Sequence, residues 1–158
     1  MAMDDEIPGA VGTSASFALR LGQTIFSAAS LLFMSLGVEF HNYTAFCLLV
    51  TIMGLVIPWS ITLAMIDIYS VLIHCPIRQP GILLFIVLGD WTLSFLTLAA
   101  ASSIAGIVDL LHRTDVTFCT PAGLCSRYQI SAALAFLSWF LSTASSLSNL
   151  WLLPSLSR

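Results

Sequence analysis

The sequence contains very little charge. Only 8% of its 158 residues are charged, lysine is absent, and the five basic residues are all arginines. By contrast, 58% of the residues are hydrophobic, and the mean hydropathy is +0.99. A water-soluble protein of this size could not cover its surface with so few polar groups. The composition therefore indicates an integral membrane protein whose main partner is the lipid bilayer.

Several motifs are missing as well. No run of basic residues offers a surface for phosphates, so we expect no nucleic acid as a partner. The sequence has no Gly-rich phosphate loop, no His-x-x-x-His or Cys-x-x-Cys pair, and no serine with a plausible histidine partner at one membrane level. We therefore expect no enzyme, no cofactor and no metal site. The acidic segment 1–12 lacks the basic region of a cleaved signal, and we expect it to persist as a flexible tail.

Four long apolar stretches account for most of the chain. A helix needs roughly 20 apolar residues to cross a bilayer. The stretches predict transmembrane helices at about 13–38, 43–73, 81–108 and 129–153. Because the connections are short, consecutive helices should be antiparallel neighbours. The predicted fold is an all-α membrane protein: a single domain, 1–158, built as an antiparallel bundle of four transmembrane helices.

The segment 109–128 is polar and carries two cysteines. Cys119 and Cys125 flank a Thr-Pro-Ala-Gly turn, a spacing that suits a disulfide. Such a bond persists only in an oxidising compartment, so we assign 109–128 to an extracellular loop and both chain termini to the cytosol. Two free thiols on a cytosolic loop are the alternative, and the arginine distribution hardly separates the two orientations.

Two charges interrupt the first and third stretches. Arg20 and Asp90 each lie about eight residues from the cytosolic end of a predicted helix, or about 12 Å deep. An unpaired charge at the bilayer centre costs roughly 2.5 to 3.5 kcal/mol, so an intramembrane ion pair would remove a penalty from both helices. Alternatively, if the first helix starts at Phe17, Arg20 simply extends to the lipid headgroups.

Asp67 competes for the same arginine, because it reaches a similar depth on the second helix. We favour a position for Asp67 in the wet membrane interface. If it instead shares Arg20 with Asp90, the arrangement would resemble a proton or cation site, as in a small transporter.

Small residues recur at helical spacing in the last two stretches. They are Ser138, Ser142 and Ser146 in the fourth, and Ser102 and Gly106 in the third. Such residues let membrane helices approach closely and form hydrogen bonds between helices. The sequence does not decide whether these faces pack within one chain or against another subunit.

Arg20 in "FALRLGQ", Asp90 in "VLGDW" and the stretch "FCTPAGLCSRYQISAALAFLSW" resemble the Casparian strip membrane protein-like (CASP-like) family of plants, relatives of the MARVEL-domain proteins. The similarity extends over nearly the whole chain and is greatest to the family's fifth subgroup. It implies a plasma-membrane protein with cytosolic termini, an Arg20–Asp90 pair, homo- and hetero-oligomers with related four-span proteins, and a scaffold role that recruits cell-wall enzymes.

One feature departs from the founding members, which carry an extended signature in the first extracellular loop. Here that loop is only "EFHNY", so Casparian strip formation is not implied. The leading hypothesis is a non-enzymatic, self-associating membrane scaffold. The rival is a small transporter or channel regulator that uses Arg20, Asp90 and Asp67 as an intramembrane site.

Overall fold

The computed structural model describes residues 13–36, 44–73, 79–114 and 123–156. These residues form four helices: α1 (Ser14–Ser35), α2 (Thr44–Ile73), α3 (Pro80–Thr114) and α4 (Leu124–Leu156). Each helix is long and apolar enough to cross a membrane. The predicted fold class, an all-α protein with four transmembrane helices, is confirmed.

The helices form a ring in chain order. Each of α1 and α3 packs against both α2 and α4, while α1 and α3 face each other across the bundle. Because short connections reverse the chain direction, these two diagonal helices run parallel. A side chain from α1 can therefore meet one from α3 only inside the core.

The start of α1 is defined by an N-cap. Thr13 has an extended backbone, and its hydroxyl accepts a hydrogen bond from the Ser16 backbone N–H at 3.1 Å. A threonine cap of this kind satisfies one of the free N–H groups of the first turn. The helix thus begins at Ser14, so Arg20 lies nearly two turns inside it.

The polar segment between α3 and α4 is more helical than expected. α3 continues to Thr114 and α4 starts at Leu124, so both ends of the segment 109–128 are helical rather than loop. Outside the hydrocarbon, polar residues can continue a helix, and here Asp109 and Arg113 form an i,i+4 ion pair at 3.1 Å. Hydropathy marks where a helix leaves the apolar region, whereas the helix itself ends farther out.

The core differs between the two ends of the bundle. Near the α3–α4 connection it is apolar, and the rings of Phe46 and Tyr128 stack there with centroids 4.6 Å apart. Toward the start of α1 it is polar, with Arg20, Asp67 and Asp90 all buried. The candidate functional site therefore lies in the half of the bundle that includes the start of α1.

Candidate functional site

Arg20 and Asp90 form an ion pair across the middle of the bundle. Arg20 Nη1 donates to Asp90 Oδ1 at 2.8 Å, and Nη2 pairs with Oδ2. Both side chains are completely buried, at 0% exposure. Such two-pronged pairs have a fixed geometry and are among the stronger hydrogen-bonded contacts in proteins. Burial of Arg20 also rules out the alternative in which its side chain extends to the lipid headgroups.

A third helix contributes to the same site through Trp59 on α2. Its indole N–H donates to Asp90 Oδ1 at 2.9 Å, so the carboxylate is held from both α1 and α2. Gly89 makes room for the ring, because a Cβ atom at this position would lie 2.4 Å from Trp59 Cζ2. Sequence reasoning missed both residues. A tryptophan in an apolar helix has no distinguishing pattern, although a glycine directly before the aspartate does indicate a close approach.

Asp67 is buried against α1, whereas we expected a position in the wet membrane interface. Only 1% of it is exposed, and it accepts a hydrogen bond from the Ser16 hydroxyl at 2.8 Å. Ser16 precedes Arg20 by one helical turn on the same face of α1. The two carboxylates thus occupy successive levels of one buried polar region, and α1 supplies a hydroxyl donor to Asp67 and a guanidinium to Asp90.

The buried face of α1 is polar along almost its entire length. Its members alternate at spacings of four and three residues: Ser16, Arg20, Gln23, Ser27, Ser30 and Met34. This spacing is that of a coiled-coil seam, with polar residues where apolar ones are usual. The sequence already contains this pattern, since the same spacing can be read from residues 16–34.

The serine face of α4 packs inside the chain. Ser138 Oγ lies 2.7 Å from Ser27 Oγ of α1, and Ser142 accepts from Ser94 of α3 at 2.9 Å. Ser146 is buried as well and donates to the backbone carbonyl of Ser142. Of the two alternatives left open for this face, the structure has packing within one chain.

A further serine pair joins α1 to α4. Ser30 Oγ donates to the Ser131 carbonyl oxygen, and Ser131 Oγ donates to that of Ser30, both at 2.9 Å. Hydrogen bonds between membrane helices contribute only about 0.6 kcal/mol each on average. Their larger effect is on register, because reciprocal bonds of this kind form at only one offset of the two helices.

Ser102 and Gly106 are exposed, unlike the buried serines of α4. Both are exposed on the outer side of α3 and do not pack within this chain. The Ser102 hydroxyl donates back to the Ala99 carbonyl of its own helix at 3.0 Å, and a Cβ atom at Gly106 would meet no neighbour. This stretch of α3 is therefore a small-residue surface on the outside of the bundle.

Cys125 is disulfide-bonded and 8% exposed at the start of α4. Cys119, its predicted partner, lies outside the described residues. The described residues contain no group of three or more His, Cys, Asp or Glu side chains that could hold a metal ion.

The chain is similar to plant membrane proteins of one family. The model of the Casparian strip membrane protein domain matches residues 9–141. CASP-like protein 5C1 of Oryza sativa subsp. japonica is 63% identical over 147 residues, which cover 93% of this chain and 94% of that protein. CASP-like protein 5C3 of Arabidopsis thaliana is 59% identical, with coverage of 96% and 98%. No solved structure matches.

These matches extend over nearly all of the chain, including Arg20, Trp59 and Asp90. The predicted resemblance is confirmed, down to relatives with fifth-subgroup names. The chain belongs to the Casparian strip membrane protein-like (CASP-like) family.

Proposed function

We propose that this protein is a non-enzymatic scaffold of the plasma membrane, which self-associates and organises membrane subdomains. The main support is that the polar side chains of the core bond one another. Arg20, Asp90 and Trp59 bond one another across three helices, and the ion pair is fully buried. A sealed pair of this kind holds helices in place and offers no surface to a substrate. Membership of the CASP-like family supports the same conclusion.

The proposal includes an orientation in which both termini are cytosolic. Cys125 is disulfide-bonded at the start of α4, and such bonds persist in oxidising compartments. This end of the bundle then faces the cell exterior. An even number of spans brings the two termini to the same side, and the exterior end would be available to cell-wall enzymes as recruited partners.

Self-association requires a surface outside the monomer core. The α4 serines are used within the chain, whereas Ser102 and Gly106 lie on the lipid side of α3. Small residues at this four-residue spacing allow two helix backbones to approach closely. The proposal therefore assigns contacts with a second copy, or with a related four-span protein, to the outer side of α3.

The experiment is crosslinking in native membranes, comparing the unmodified chain with Gly106→Leu. A matched control exists in Gly54→Leu, because Gly54 is also exposed in a membrane helix and a Cβ atom there would also meet no neighbour. We expect dimers or larger species, reduced several-fold by Gly106→Leu and unchanged by Gly54→Leu. A strictly monomeric unmodified chain would contradict self-association, and equal effects of both substitutions would contradict the assignment to α3.

The rival function is a small transporter or channel regulator. One observation favours it: three ionisable side chains, Arg20, Asp67 and Asp90, are buried within neighbouring turns of one bundle. Intramembrane ionisable groups often mark ion or proton pathways. Proton-coupled or cation flux in reconstituted vesicles, abolished by Asp90→Asn while the protein still inserts, would establish this function in place of the scaffold.

A further inference from the structure

The ion pair leaves one atom of the Arg20 side chain without a partner. Nη1 and Nη2 bond Asp90, and Nη1 also lies 3.5 Å from Gln23 Oε1. Within the described ranges, Arg20 Nε has no hydrogen-bond partner, although the side chain is 0% exposed. A buried donor on a charged group is costly to leave unsatisfied. An acceptor at this position would remove that cost.

A second unpartnered group lies on α4. The Ser145 hydroxyl is 0% exposed and has no hydrogen-bond partner among the described residues. Ser145 follows Ser138 by seven positions, or two helical turns, and so lies on the same face of α4. That face contacts α1, since Ser138 Oγ is 2.7 Å from Ser27 Oγ.

The register of α1 and α4 brings the two groups to one level. Arg20 precedes Ser27 by seven positions, just as Ser145 follows Ser138 by seven. Because the two helices are antiparallel, these steps cover the same distance in the same direction along the bundle. Arg20 and Ser145 should therefore face each other as Ser27 and Ser138 do.

The contact between α3 and α4 also places Ser145 at the level of the ion pair, independently of α1. Ser94 of α3 bonds Ser142 of α4 at 2.9 Å. One turn back from Ser94 is Asp90, and one turn on from Ser142 is Ser146, the neighbour of Ser145. The ion pair and Ser145 thus share one layer of the bundle by two separate measures.

We propose that a single water molecule bridges Arg20 Nε and Ser145 Oγ. The register places the two groups at one level, neither Nε nor Oγ has a hydrogen-bond partner among the described residues, and both side chains are 0% exposed. The water accepts from the Nε–H and exchanges a hydrogen bond with the hydroxyl. Buried waters typically satisfy polar groups of this kind. The bridge connects α4 to a network that otherwise joins α1, α2 and α3, and it does not depend on the scaffold function.

The first test is the thermal unfolding midpoint of the full chain in lipid nanodiscs. Ser145→Ala should lower the midpoint by about 2–4 °C, the shift typical of one lost interaction in a chain of this size. The matched control is Ser146→Ala, because Ser146 is also buried on α4 but its hydroxyl donates to the Ser142 carbonyl of its own helix. Removing a hydroxyl that bonds within its own helix should change the midpoint little. A Ser145→Ala midpoint equal to or above that of Ser146→Ala would overturn the bridge.

The second test uses Arg20→Lys, which keeps the charge but has no Nε. In this background Ser145→Ala should produce no further shift, since the water has already lost its donor. The same drop in both backgrounds would overturn the proposal. If Arg20→Lys does not fold, NMR of the ¹⁵N-labelled arginine Nε–H groups tests the proposal instead. One Nε–H in the unmodified chain should show magnetisation transfer from a bound water, and Ser145→Ala should abolish it. Its absence from the unmodified spectrum would also overturn the bridge.

Discussion

Removing the charge from one member of the ion pair should damage the bundle more than removing it from both. Asp90→Asn keeps the shape of the side chain but leaves the Arg20 guanidinium, which stays charged, without a counter-charge. Breaking a buried ion pair by changing one partner typically costs about 3–5 kcal/mol. For a chain of this size, about 1 kcal/mol shifts the unfolding midpoint by about 2–4 °C. The midpoint should therefore fall by about 6–20 °C.

The reverse single change should be less severe. Arg20→Met leaves Asp90 without its cation, but Asp90 keeps the hydrogen bond that Trp59 donates to it at 2.9 Å. We therefore expect Arg20→Met to lower the midpoint by less than Asp90→Asn does.

The double variant, Arg20→Met with Asp90→Asn, tests the pairing itself. It carries neither charge, and the asparagine oxygen can still accept from Trp59. Replacing both members of a buried ion pair is often neutral, so most of the lost stability should return. The assay is thermal unfolding in nanodiscs, followed by tryptophan fluorescence. Additive losses in the double variant would refute the reasoning, because they would mean that the two charges act independently.

Two further predictions concern Gly89, beside the ion pair, and Cys125, at the other end of the bundle. Gly89→Ala should displace the Trp59 ring, whose Cζ2 lies 2.4 Å from the added Cβ, and should lower the midpoint by an amount typical of overpacking, about 1–3 kcal/mol. In a Trp59→Leu background, Gly89→Ala should hardly change the midpoint. An undiminished drop in that background would exclude the ring contact as the cause. Cys125→Ser should lower the midpoint without reductant and have no effect in its presence, because Cys125 is disulfide-bonded. A difference that persists under reductant would point to packing of the side chain instead.

The sequence was sufficient to predict the number of helices and the similar depth of the charged residues on α1 and α3. Both predictions depend only on hydropathy and on position along a helix. Asp67 shows a limit of such counting, because position along a helix does not reveal which donors a neighbouring helix presents. The Ser16 hydroxyl donates to Asp67 at 2.8 Å, and this contact could not be predicted from depth.

Trp59 and Gly89 illustrate a second limit. Their contact depends on the rotation of α2 about its own axis, since Trp59 must point toward α3 and Gly89 must leave space for it. Around Trp59 the residues of α2 are almost all apolar, so the local sequence pattern contains little information on rotation, and only more distant polar residues such as Asp67 mark the buried face. The polar face of α1 does contain that information, and its spacing of four and three residues would have oriented the helix toward the core.

These limits also explain why the polar contacts have a role beyond stability. Apolar side chains are as well solvated by lipid as by one another, so apolar packing alone gives little preference for one order of helices around the ring. The Arg20–Asp90 pair brings α1 and α3 to opposite corners, and the Ser27–Ser138 and Ser94–Ser142 contacts then fix the offset of α4 against both. In the double variant the Ser94–Ser142 contact still fixes α3 against α4, so the arrangement should become variable only when Ser94→Ala is added. In that triple variant we expect disulfide crosslinks between cysteines introduced on α1 and α3 to form at several offsets rather than at one.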